Sequence, residues 1–120
     1  MDNIEGIYTA YLAGATGQGM AMFVFQDHKI AGADVSGLVF SGSYSVEKGM
    51  LIGELVYTMP VGSTSITGAS FDQHSDRIVV PLSLPAVIDP NETYCIDTPI
   101  GPINAKLVKN IGLGSDDNGK

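Results

Sequence analysis

From Glu5 to Lys109 the chain is a succession of short runs alternating with period two, cut at intervals by glycine, proline and small polar clusters. That punctuation allows strands and turns and little else. An amphipathic helix needs apolar residues at a 3.6-residue spacing sustained over several turns. The nearest candidate, Leu82–Ile88, is interrupted by Pro85, which removes a backbone donor and clashes with the preceding turn. Fifteen glycines in 120 residues lie well above the average of roughly 7%. Glycine at that density suits turns and bulges.

The runs are read in order. Glu5–Ala13 is a first strand, and Gln18–Phe25 a second, with Met20, Met22 and Val24 against Ala21, Phe23 and Phe25. Gln26–Lys29 is a hairpin turn by composition. Lys29–Asp34 is a short third strand, Gly37–Val46 a fourth, and Glu47-Lys48-Gly49 a tight turn. Met50–Met59 is the longest strand and stops at Pro60. Val61–Ser70, rich in Ser, Thr and Gly, reads as an edge strand or an ordered loop. Arg77–Leu84 is β-branched, and Pro81 confines it to an edge or a bulge. Thr93–Asp97 and Ile103–Lys109 form a last pair around Thr98–Pro102. About eight short strands joined by turns give an all-β domain, an antiparallel barrel or sandwich, over residues 1–111. Residues 112–120 read as a disordered tail.

Gly32, Asp34, Gly37 and Gly42 share one glycine-spaced stretch, Gly32–Tyr44. Its expected role is structural. Gly32 and Gly37 let the chain bend between hairpins, and Asp34 satisfies backbone donors at that corner.

Composition narrows the function. Thirteen acidic against six basic side chains give a net charge of -7, which disfavours phosphate backbones and anionic membrane surfaces. No run approaches the roughly 18 apolar residues of a membrane span. The single cysteine, Cys95, excludes an internal disulfide and suits a reducing compartment. Met1–Glu5 has no basic or apolar leader character, so the expected location is the cytoplasm.

Catalytic and cofactor motifs fare poorly. Gly14-x-x-Gly17-x-Gly19 lacks the Lys-Ser/Thr and the helix that a phosphate loop requires. Asp72-x-His74-x-Asp76 puts three ligand-type side chains on one face of an extended chain. A solvated turn is the favoured reading, because no other histidine lies near in sequence to complete the site. His28 reads as an exposed turn residue, and Cys95, between Tyr94 and Ile96, as a small buried hydrophobe. Asn91-Glu92-Thr93 matches a glycosylation acceptor, discounted without a secretory leader. No serine stands in a nucleophile elbow. The expectation is a non-enzymatic protein with neither metal nor cofactor.

The second and fifth strands are apolar on both faces. A sheet wet on one side alternates instead, so something covers the outer face too. Methionine is frequent, and adaptable thioethers suit an apolar cavity. Met20, Met22, Phe23, Phe25 and Tyr57 are the candidate lining residues. Ordinary core filling is the competing account.

Gly6-Ile7-Tyr8, Gly17-x-Gly19 and Gly32-Ala33-Asp34-x-x-Gly37-x-x-Phe40-x-Gly42-x-Tyr44 together resemble the GrlR-like family of small bacterial regulators, and Arg77–Pro81 resembles that family's strand ending in proline. The resemblance implies an eight-stranded, lipocalin-like, up-and-down barrel that forms a homodimer. It implies negative regulation by contact with a protein, as the family's named member sequesters a transcriptional activator. An acidic run associated with that contact corresponds to Val46-Glu47-Lys48-Gly49, where Glu47 alone matches. The rival expectation is a carrier of a small apolar ligand in the barrel cavity.

Overall fold

A computed structural model describes residues 4–71 and 76–113. Among the described residues there are ten strands and no helix: β1 (Gly6–Ala13), β2 (Gln18–Gln26), β3 (Lys29–Asp34), β4 (Val39–Glu47), β5 (Met50–Met59), β6 (Ser63–Thr64), β7 (Ser70–Phe71), β8 (Asp76–Pro85), β9 (Tyr94–Thr98) and β10 (Gly101–Gly112). Eight of them form one antiparallel sheet in the order β8-β5-β4-β3-β2-β1-β10-β9, and β6 and β7 pair separately. With that small hairpin set aside, each strand lies beside its sequence neighbour, and β10 returns to pair with β1. The chain is thus an all-β, up-and-down barrel, nearly closed. The remaining seam runs between β8 and β9, which lie close but share no ladder. Pro81 sits on β8, a terminal strand, where a missing N–H costs least.

Local chemistry sets the turns. Asp27 and His28 (φ 53° and 64°), then Lys48 and Gly49 (φ 53° and 79°), occupy the left-handed region at the centres of two-residue hairpins. Such turns match the twist of the strands they join. Asp34 organises the β3–β4 turn. Its Oδ1 accepts hydrogen bonds from Ser36 N (2.9 Å), Ser36 Oγ (2.8 Å) and Leu38 N (2.9 Å). Gly37, at φ 98°, belongs to that turn, so β4 starts two residues later than the sequence pattern suggests.

Other boundaries shift for physical reasons. Pairing of Gly6 with Gly112 carries β10 past Lys109, so Gly112 is strand and not tail. Residues 114–120 lie outside the described residues. Within the expected edge strand or loop at 61–70, only Ser63–Thr64 and Ser70–Phe71 pair.

The inner face alternates bulk with vacancy. Register puts Gly32 between Phe23 and Phe40, and Gly42 between Ile30 and Leu55. A Cβ on Gly32 would meet the Met22 carbonyl and, at 2.6 Å, the Phe23 ring, while one on Gly42 would collide with the Glu54 carbonyl. These two glycines therefore serve close approach, and the expected bend at Gly32 is corrected to a slot for a neighbour's ring. Around them the aromatics touch in two groups. Tyr8, Phe25 and Tyr44 stack at 5.3 and 5.5 Å, and Phe23, Phe40 and Tyr57 at 5.2 and 5.1 Å. Offset and edge contacts of this kind contribute roughly 0.5–1.5 kcal/mol each beyond area burial.

Asp34→Ala is expected to lower stability by about 1–2 kcal/mol, because three donors lose one charged acceptor. Asp34→Asn, which keeps an oxygen, should recover most of that in urea unfolding. Equal stability of all three proteins would contradict the role assigned to this carboxylate.

Candidate functional site

The barrel interior is not filled. A cavity of about 510 Å³ runs along the inner face, within the range of roughly 300–1,000 Å³ usual for small-molecule sites. Its walls come from every strand of the main sheet. Ala10 and Leu12 lie on β1, Phe23 and Phe25 on β2, Phe40 on β4, Leu55 and Tyr57 on β5, Val80 and Leu82 on β8, and Ile103, Ala105 and Leu107 on β10. Period-two alternation explains the set, because these positions point inward while their neighbours face out.

The two ends differ. At one end Tyr8 and Tyr44, which do not line the cavity, close the barrel with Phe25. The Tyr8 hydroxyl donates to the Ile4 carbonyl at 2.7 Å. The other end is built from loops: the β1–β2 connection, the β3–β4 turn, residues 60–66 and Thr98 before the β9–β10 turn. Polar side chains gather there, among them Gln18, Asp34, Ser36, Ser63 and Thr64.

The segment after β5 leans across this mouth. Thr16 donates from its backbone N (2.9 Å) and its Oγ1 (3.1 Å) to the Ile66 carbonyl. A Cβ on Gly14 would strike that same carbonyl, so glycine there lets the two loops meet. Ser65 is buried, and its Oγ accepts from Thr67 N (3.2 Å) and Thr67 Oγ1 (3.0 Å).

The candidate residues separate by face. Phe23, Phe25 and Tyr57 line the cavity. Met20 and Met22 do not: they are 40% and 50% exposed on the outer face of β2, which corrects their expected place in the lining. Both faces of β2 are apolar, so periodicity alone left the inward face undetermined, and the paired aromatics take it. Met59 is the methionine that reaches the cavity. Glu47 is exposed at the β4–β5 turn, at the closed end, and its Oε2 accepts from Ser45 Oγ at 3.1 Å.

Other motifs resolve as follows. Cys95 is exposed, not buried, because Tyr94, Ile96 and Thr98 take the inner positions of β9. His28 sits in its turn with Nδ1 3.3 Å from the Tyr44 carbonyl. Asp72 and His74 lie outside the described residues, and Asp76 is exposed at the start of β8. Among the described residues, no helix is long and apolar enough to cross a membrane. No family model, characterised protein or solved structure matches the chain.

Burial raises the phenol of Tyr57 above its ordinary value of 10.0. Tyr44 is raised too, first by burial and then by the Glu5 and Asp27 carboxylates, against a hydrogen bond with the His28 backbone that lowers it. The unfolded chain therefore releases these protons first on alkalisation. Their contribution to stability is full below pH 10.0 and is lost as pH rises through the folded-state values. Urea unfolding is expected to show a decline that begins near pH 10 and is shallower in Tyr57→Phe. An identical alkaline slope in that variant would place the Tyr57 phenol in water.

Proposed function

We propose that the chain is a non-enzymatic binding protein whose barrel holds a small apolar ligand. One observation carries this reading: an unfilled, apolar cavity of about 510 Å³ that ends at a polar mouth. A small barrel ordinarily fills its interior with side chains, and this one spends inner positions on Gly32 and Gly42 between bulky neighbours. Removing apolar ligand surface from water supplies the affinity, at about 25 cal/mol per Å² before the costs of association. Loops at the mouth supply a route in, and residues 60–66 are the segment a ligand passes.

The test is direct. Native mass spectrometry of protein taken from cells under gentle conditions is expected to show a retained small molecule. The uncharged dye N-phenylnaphthylamine should bind with enhanced fluorescence. Ala105→Leu, which grows a side chain into the cavity from a fully buried position, should weaken the dye by roughly tenfold, about 1.4 kcal/mol. No retained molecule and no dye binding by a folded protein would end the reading.

A second reading rests on the outer face of the same sheet. Tyr11 pairs with Met20, Met22 with Ala33, and Ala33 with Val39. Tyr11, Met20, Met22 and Val39 are all exposed, with Lys106 beside them as the ladder partner of Tyr11 on β10. An apolar sheet face of this kind, with a charged rim, supports self-association. Its occupant in this reading is a second copy of the chain. That agrees with the GrlR-like resemblance and with regulation in the cytoplasm by contact with a protein such as a transcriptional activator, with Glu47 at an exposed turn available to it. Met22→Lys should then convert a dimer to a monomer in sedimentation equilibrium without unfolding it. A wild-type monomer at tens of micromolar, well above the dissociation constants of stable interfaces, would exclude the dimer.

A further inference from the structure

The cavity wall carries one polar group along its β5 side, the hydroxyl of Tyr57. Alternation on β5 turns this side chain inward with Leu55 and Met59. The residue is 8% exposed, and its ring lies edge-on to Phe40 at 5.1 Å. Two other tyrosine hydroxyls have protein partners: Tyr8 donates to the Ile4 carbonyl, and Tyr94 accepts from Asp89 N at 3.0 Å. Among the described residues the Tyr57 hydroxyl has none. No sealed side-chain polar atom among them lacks a partner, so this hydroxyl keeps open surface. Tyr57 lines the cavity and also borders a smaller pocket shared with Val39, Ser41 and Val56. Phenylalanine would pack against Phe40 equally well. A hydroxyl that lacks a protein partner gains from an acceptor placed beside it, and the lumen has room for one.

The geometry points to a ligand class, and this rests on the cavity being a binding site: an uncharged amphiphile, with an apolar body in the lumen and one carbonyl or hydroxyl oxygen accepting from Tyr57 Oη. Charge on the ligand is disfavoured from both sides. Among the described lining residues there is no Lys, Arg or His to meet a carboxylate. The one charged lining group is Asp34, which stands at the mouth and not deep in the lumen, its Oδ1 accepting from Ser36 and Leu38. The chain's net charge of -7 adds to the repulsion of anions. A cationic head drawn deep into the apolar lumen would lose its hydration with no carboxylate beside it. Burial also keeps the Tyr57 phenol protonated well into the alkaline range, so at neutral pH it is a donor in search of an acceptor.

The experiment compares two competitors for bound N-phenylnaphthylamine, methyl decyl ketone and dodecanoate, in wild type and Tyr57→Phe. Wild type should bind the ketone more tightly than the carboxylate. Tyr57→Phe should weaken the ketone by roughly three- to tenfold relative to the dye measured in the same variant, the worth of one hydrogen bond. Unchanged ketone affinity in a variant that still binds the dye would overturn the role of Tyr57 and leave the cavity reading standing. Tighter binding of dodecanoate would overturn the uncharged class. Failure of the dye to bind wild type would overturn the cavity reading itself, and this inference with it.

Discussion

The fold depends on the fit of aromatic rings against glycine on the inner face of the sheet. Gly32 lies between Phe23 and Phe40, and the Phe23 ring occupies space that a Cβ would need. Gly42 does the same for the backbone of β5, whose Glu54 carbonyl comes too close for any side chain. A sheet that coils tightly brings neighbouring strands together on its concave side, and glycine is the residue that permits it. Large rings beside the glycines restore the apolar cover that the missing side chains would have given. The two aromatic groups then divide the labour. Tyr8, Phe25 and Tyr44 close one end, and Phe23, Phe40 and Tyr57 wall the lumen.

That division makes the barrel asymmetric along its axis. The closed end has two-residue turns with left-handed central residues, which tie strands together with no slack. The open end has the β3–β4 turn held by one carboxylate and the longer connection after Pro60. Segments that must yield to a ligand belong to the less tightly held part of a structure. Hydrogen bonds from Thr16 to the Ile66 carbonyl are few and near the surface, so opening there leaves the ladders of the main sheet intact. The β8–β9 seam is a second place without a ladder. There Pro81, on a terminal strand, limits pairing with another chain.

Much of this was legible in the sequence, for a physical reason. Strand periodicity and turn chemistry are local, so Gln26–Lys29, Glu47–Gly49 and the edge position implied by Pro81 all read directly. The inward face of β2 did not. Met20, Met22 and Val24 match Ala21, Phe23 and Phe25 in apolar character, and the choice between the faces is made by long-range packing against Phe40 and Tyr44. Cys95 was misplaced for a related reason. The rule that free cysteine is buried gave way to alternation on β9, where Tyr94 and Ile96 hold the inner positions. A cavity was expected only as a rival to ordinary core filling, and the choice between them could not be read, since empty volume is a property of how eight strands close and belongs to no residue.

The same alternation that hid the inward face keeps the two functional readings separable. Phe23 faces the lumen and Met22 the outside, one residue apart on β2. Their backbones share the ladder to β3, where Gly32 lies against both the Met22 carbonyl and the Phe23 ring. A change to the Met22 side chain alters the outer surface without adding or removing volume in the lumen. A change to Tyr57 or Ala105 alters the lumen without touching the outer pairs Tyr11–Met20 and Ala33–Val39. Side-chain effects therefore stay on their own faces, and any link between ligand and assembly has to pass through the β2–β3 backbone. By linkage, such a coupling acts equally in both directions: if a ligand against Phe23 strengthens association through that ladder, association strengthens the ligand by the same factor.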